Sequence, residues 1–392
     1  MVRNFFTGGH MAVSIFFVIS GYVLSMKPLS LIHAGEHLKL FDNVASALFR
    51  RWFRLYIPII VTTFVYIMSW HVFGIWTAQT EAKGTVGEEI WNWYVEFKNF
   101  SFLFKEGWPW MNSNSHLWSI ALEMRGSVVI YMACMALARA THKARLLCLL
   151  GLAFYFLYIV DGYYCALFMT GMLQCDLDLL AKREGYFPRW LRRLEPYKTF
   201  LYYHALVIGM YLGGVPSRTQ EIADLRASRG WYYLSFLKPQ AVFDYKWFYL
   251  FLAGNLLVAC IPRLPWLRRF FETRFCQFLG RVSYALYLVH GPILGTLGDR
   301  LYYAVGWPRK ADPIAHWANI FPLPMNGPLG LELAFLLPNL ILLPLTLWTA
   351  DFVTRMVDEP AVRFAAWLYK RVQQDGEEDK KAVALVPLTR VD

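Results

Sequence analysis

The chain has 392 residues and a net charge of +11; 57% of it is hydrophobic and 18% aromatic, and only 17% is charged. Soluble domains run closer to about a quarter charged, and the mean hydropathy of +0.34 points the same way, so a soluble globular protein is excluded. The apolar runs are long and lack strict apolar/polar alternation. That argues against strands and for helices, because lipid cannot satisfy an exposed backbone.

The expected fold class is therefore all-α: a polytopic transmembrane helical bundle. Crossing about 30 Å of hydrocarbon takes roughly 20 helical residues. Taken in chain order, the candidate spans are 10–26, 54–76, 116–138, 145–160, 162–177, 198–214, 245–262, 276–296 and 331–356, about nine in all. The pair at 145–177 is short and is joined only by Asp161 and Gly162, as in a bent hairpin. Residues 1–372 read as a single transmembrane domain, and 373–392 as a polar, disordered tail. No internal repeat is visible.

A charge of +11 on a soluble chain would suggest nucleic acid. Here the cations sit in loops between apolar runs, so they report topology, and no nucleic-acid partner is expected. Placing the loop with Arg50, Arg51 and Arg54 in the cytoplasm puts 25 of the 39 Lys and Arg on that side and 11 on the other. The C-terminus is then cytoplasmic. The loop 77–115, with Glu81, Glu88, Glu89, Glu96 and Glu106, falls outside or in the lumen. Nine spans with a cytoplasmic C-terminus place Met1 outside, and one further helix is expected upstream of it. The six cysteines form no CxxC pair and read as free thiols.

Ionisable groups inside apolar runs are the candidates for chemistry, because a charge at membrane depth costs at least about 2.5 kcal/mol. In HLWSIALEMRGSVVIY (116–131), about 100° per residue places His116, Ser119 and Glu123 within a sector of about 60°. They read as a polar stripe lining a cleft, or as a structural hydrogen-bond network. Arg125 faces elsewhere. In LGRVSYALYLVHGPIL (279–294), Ser283, Tyr287 and His290 share a face, and Pro292 frees a backbone carbonyl nearby. Such a site is kinked and hydrated, or simply a histidine satisfied by that carbonyl. Arg50, Arg51 and Arg54 are headgroup anchors or a phosphate clamp. His33, Glu36 and His37 fit H-x-x-E-H, but a glycine inside the motif and a short loop argue against a zinc site. No metal ligand set is expected.

Four segments together, in this order, resemble the acyltransferase 3 family of integral membrane acyltransferases, most closely its fungal members. They are MAVSIFFVISGYVLS (11–25), RRWFRLYIP (50–58), HLWSIALEMRGSVVIY (116–131) and LGRVSYALYLVHGPIL (279–294), and the ending DEPAVRF (358–364) also fits that family's last span. The resemblance implies about ten helices. It implies transfer of an acyl group from acyl-CoA, a co-substrate rather than a bound cofactor, to a hydroxyl of a carbohydrate or natural product. By position, Arg51 and Arg54 match the family's arginines after its second helix. His116, Trp118, Ser119 and Glu123 match its H-x-W-S-x-x-x-E segment, and Ser283, Tyr284, Tyr287 and His290 its last signature. The family's opening helix, with an arginine and a later essential histidine, is not found before VRNFFTGGHMAV.

The expected catalytic residues are thus His116, Glu123, His290 and Ser119, with Arg50, Arg51, Arg54, Trp118, Ser283 and Tyr287 binding substrate. The partners are acyl-CoA, a hydroxyl-bearing small molecule or sugar, and the bilayer of a plasma membrane or endomembrane. Two other readings stand: a solute or proton-coupled transporter, and a truncated, inactive family member.

Overall fold

The computed structural model describes residues 8–77, 80–105, 107, 109–182, 188, 192–217, 219–307, 312–327 and 333–384, with side chains up to 373 except at 312 and 313. Among these residues every regular element is helical, as the composition requires. Five helices are long and apolar enough to cross a membrane: Gly9–Ala34, His37–Phe73, Asn112–Ala136, Tyr245–Arg263 and Leu333–Gln373. Each of the nine expected spans overlaps a helix. The remaining four are too short or too polar to count as crossings on these grounds, so the chain is a multi-pass helical protein and its number of crossings is left at five or more.

The chain divides into two compact units. The first takes in Met1–Val44, Ser119–Gly280 and Asn326–Glu332. Its centre is α1 (Gly9–Ala34) against a later helix of the same unit, Tyr163–Ala181. Between them in sequence come α2 (His37–Phe73), α3 (Val86–Ser101), α4 (Trp118–Ala136) and α5 (His142–Tyr158); Tyr163–Ala181 is α6. A Cβ built on Gly171 of α6 would lie 2.1 Å from the carbonyl oxygen of Val18, and one on Gly21 of α1 would lie 2.2 Å from that of Phe168. Two backbones meet at these glycines with no room for a side chain, the close approach that small residues permit between membrane helices.

The hairpin expected at 145–177 is present as α5 and α6, joined through Asp161 in the left-handed conformation and Gly162. Arg125, placed off the polar stripe by its spacing, hydrogen-bonds Tyr164 of α6. Asp176 of α6 is fully buried and takes both prongs of Arg145, from Nε at 2.7 Å and Nη2 at 3.0 Å, with His33 Nε2 at 2.7 Å. A buried carboxylate is tolerable only when paired in this way. His33 ends α1 and His37 begins α2, with Gly35 left-handed between them. The H-x-x-E-H spelling is therefore split across two helices and cannot present i,i+4 ligands. The unit is completed by α7 (Lys198–Leu212), α8 (Ile222–Ala227), α9 (Tyr245–Cys260) and α10 (Pro265–Phe271).

The second unit takes in Ala45–Trp118, Arg281–Met325 and Leu333–Asp392. The stretch 77–115, read from charge as a loop, contains α3. A capping box opens it, with Thr85 accepting from Glu88 N and Glu88 from Thr85 N. α3 packs on α2 through aromatic rings, Tyr56 with Phe97 and Phe100 and Phe64 with Trp93, and Trp93 Nε1 donates to Thr63 Oγ1 at 2.9 Å. Glu89 and Glu96 lie seven residues apart, on one face. Glu89 is buried and accepts from His71 and from Lys83 N.

α11 (Arg274–Ile293) runs past Pro292 into a π-turn, Leu294–Gly298, and on to α12 (Asp299–Ala304). α13 (Leu333–Val353) meets α11 through Asp351, which pairs with Arg281 at 2.6 Å. The last helix, α14, runs Glu359–Ala384, past residue 372 where a disordered tail was expected. Helix propagation needs only one hydrogen bond per added residue once a stable turn precedes it. Residues 385–392 lie outside the described residues.

Candidate active site

The second unit brings two of the expected histidines together. The rings of His116 and His290 stand edge-to-face with centroids 4.8 Å apart. His290 Nδ1 lies 2.8 Å from the carbonyl of Tyr287 and 3.3 Å from that of Leu286. A carbonyl can only accept, so Nδ1 carries the proton and Nε2 is left as the basic nitrogen. The Tyr287 hydroxyl donates to the backbone carbonyl of His116, and its ring lies 5.5 Å from that of His290. One tyrosine on α11 thus fixes His116 by its hydroxyl and His290 by its carbonyl.

His116 does not lie on a regular α-helix. Residues Asn112–Leu117 form a 3-10 turn broken at Asn114, and α4 begins at Trp118. The helical arithmetic therefore holds for Ser119 and Glu123, one turn apart on α4 and both buried, but not across the junction to His116. The turn is anchored from α3. Glu96 accepts from Asn112 Nδ2 at 3.0 Å and from Ser113 N at 3.3 Å. His116 belongs to the second unit, and Ser119 and Glu123 to the first.

The carbonyl that Pro292 releases is that of Leu288, four residues before it. Asn114 Nδ2 takes it at 3.1 Å, so the histidine does not. Asn114 Oδ1 and His116 Nδ1 are buried and have no hydrogen-bond partner among the described residues. Both face Gly291, lying 2.9 and 2.8 Å from the position a Cβ would occupy there. Each such atom costs about 1–3 kcal/mol if left unmade, and groups of this kind concentrate where a site serves chemistry rather than stability. Gly291→Ala is predicted to displace both side chains. Its effect should be a fall of about 10²-fold in turnover with a melting temperature close to the wild type's, measured side by side on one preparation.

The other expected residues fall in two places. Tyr284 donates its hydroxyl to the carbonyl of Leu55 on α2. Two of the sequence motifs, on α2 and α11, are thereby joined at one tyrosine. Arg51 is buried and Arg54 exposed, and Arg50 Nε donates to Ser46 O at 3.1 Å. Ser283 is exposed and Trp118 half-buried. Sequence reasoning missed Asn114, Glu96 and Gly291. The capping box at Thr85 and the i,i+7 spacing of Glu89 and Glu96 could have flagged α3; nothing local marks Asn114.

Long apolar helices carrying a partly buried pair of imidazoles, His290 in a fixed tautomer, define a multi-pass membrane protein with ionisable groups inside it. The chain belongs to the acyltransferase 3 family, matching the family described as an acyltransferase domain over residues 1–348. It is an acyltransferase of the kind that transfers groups other than amino-acyl groups. It is 26% identical to "O-acetyltransferase PaAT-1" of Phomopsis amygdali, across 94% of this chain and 76% of that protein. It is 22% identical to "Acyltransferase clz18" of Cochliobolus lunatus, across 92% and 80%. It is also 22% identical to "Acyltransferase R4" of Phoma sp. (strain ATCC 20986 / MF5453), across 74% and 69%. No solved structure matches the chain.

Proposed function

We propose that this protein transfers an acyl group from acyl-CoA to a hydroxyl of a carbohydrate or natural product, with His290 as general base. The observation that carries the reading is the His290 imidazole, its Nδ1–H held on the Tyr287 carbonyl and its Nε2 left to accept a proton. Nε2 takes the acceptor hydroxyl's proton as that oxygen attacks the thioester carbonyl. An ester forms, the C–S bond breaks, and the proton passes to the departing sulfur as free thiol. His116 and Asn114, whose Nδ1 and Oδ1 face the same point, orient the attacking hydroxyl. Ser119 and Glu123 on α4 form the second polar pair of this reading. Arg50, Arg51 and Arg54, on the charge-rich side, hold the coenzyme's phosphates, with Trp118, Ser283 and Tyr287 lining the substrate path. The donor enters from the cytoplasm, where this topology also puts the C-terminus.

The relative from Phomopsis amygdali is named an O-acetyltransferase, which makes acetyl-CoA the first donor to try. The purified protein in lipid nanodiscs, given acetyl-CoA and a panel of hydroxyl acceptors, should release one thiol per ester formed. Thiol release with water as the sole acceptor would overturn the reading. So would solute flux into liposomes that needs no acyl donor, which would favour a transporter.

A further inference from the structure

The first unit holds a cavity of about 290 Å³ that the acyl-transfer reading does not use. It is lined by His33 and His37 at the α1–α2 corner, Arg139 and His142 at the α4–α5 corner, and Arg145 on α5. The rest of its wall is Ile32, Ala138, Ala140 and Leu180, so no carboxylate lines it among the described residues. The nearest acids are already committed. Asp176 is covered by Arg145 and His33, and Glu36 pairs with Lys39 at 3.1 Å. Arg145 spends Nε and Nη2 on Asp176, and its Nη1 has no hydrogen bond among the described residues. Arg139 is exposed and makes neither a hydrogen bond nor an ion pair among them. Thr141 caps α5 beside the cavity, which adds the positive end of that helix to the same side.

A wall built from two guanidinium groups and three imidazoles, with the nearby carboxylates among the described residues already paired, is suited to one ligand chemistry. Guanidinium forks match phosphate oxygens in pairs, and imidazole donates to them whether or not it is charged. We propose that this cavity is a binding site for a phosphate group, either a soluble phosphate monoester of the kind a nucleotide coenzyme carries or the headgroup of an anionic phospholipid. The site involves none of the residues assigned to acyl transfer, and its occupancy is read without turnover, so it stands or falls separately from that reading. Arg145 both holds Asp176 and presents Nη1 to the ligand, while Arg139 and His37 close on it from the two corners.

The test uses the full-length protein in nanodiscs of neutral phosphatidylcholine, titrated calorimetrically with adenosine 3′,5′-bisphosphate. In parallel, nanodiscs containing phosphatidic acid are examined by native mass spectrometry for retained lipid. Saturable bisphosphate binding in neutral discs assigns the soluble source; retention of phosphatidic acid without bisphosphate binding assigns the headgroup. Arg139→Gln with His37→Gln removes two exposed donors and leaves the buried Arg145–Asp176 pair intact. This double variant should weaken whichever ligand binds by about tenfold or more, the usual worth of a charge-assisted hydrogen bond. Arg268→Gln, which removes a charge of the same sign from an exposed ion pair elsewhere, should leave affinity unchanged. Failure of both probes to bind, unchanged affinity in the double variant, or equal weakening by Arg268→Gln would each overturn the proposal.

Discussion

Replacing His290 with alanine should lower the turnover number of acyl transfer by about 10²–10⁴, the usual contribution of a positioned general base, while the KM for acyl-CoA changes little. The reasoning is geometric. His290 Nδ1 is spent on the carbonyls of Tyr287 and Leu286, so removing the ring removes one basic nitrogen and no donor for the coenzyme. Thiol release under saturating donor and acceptor reads the effect directly. His116→Ala should also slow transfer, because its ring packs edge-to-face on that of His290. Tyr287→Phe keeps the carbonyl that holds His290 and loses only the hydroxyl on the His116 carbonyl. Its effect should therefore be smaller than that of either histidine variant. Wild-type turnover in His290→Ala would place the base elsewhere.

The second large effect is on folding. Gly171→Val should destabilise the first unit by about 3 kcal/mol or more, at or beyond the upper end of ordinary overpacking. A flexible side chain can swing away from an added methyl group, but a backbone cannot. The added Cβ would lie 2.1 Å from Val18 O and 2.9 Å from Tyr22 N, both main-chain atoms of α1. Relief requires α1 and α6 to separate along their contact, giving up the dispersion and burial around Phe17, Val18 and Phe168, which are fully buried. The measurement is the melting temperature and the monodisperse fraction after solubilisation. Gly151→Ala is the control: nothing lies within 4 Å of a Cβ at that position on α5, and the substitution should be neutral or slightly stabilising. Equal melting temperatures for Gly171→Val and wild type would refute the close approach.

The candidate site was half legible in the sequence. The spacing of Tyr287 and His290, with Pro292 two residues on, announced a face of α11 with a released carbonyl, and that face carries the pair. His116 was found as an ionisable group in an apolar run, but its geometry was misjudged. His116 was read as the start of a straight helix, whereas Glu96 holds Asn112 and Ser113 in a tighter turn that runs on to Leu117, and Asn114 breaks its periodicity. Glu89 and Glu96 were counted only as acids that mark an outer loop. Their partners are His71, the Lys83 amide, Asn112 and the Ser113 amide, none of which hydropathy can indicate. Arg51, read as an anchor or clamp, is buried, which hydropathy alone does not indicate.

The amino-acid sequence by itself determined that this protein is an all-helical, multi-pass membrane acyltransferase of the acyltransferase 3 family. Apolar length, charge distribution and short motifs are properties of contiguous residues, and the cost of burying an unpaired backbone group in lipid turns them into helices whatever the rest of the chain does. Only the tertiary structure decided which polar atoms meet. Asn114 and the Leu288 carbonyl are 174 residues apart, and the Tyr287 hydroxyl and the His116 carbonyl 171. A hydrogen bond is made or lost within a few tenths of an ångström. Its partners are therefore fixed by how helices pack, and no local pattern in the chain encodes that distance.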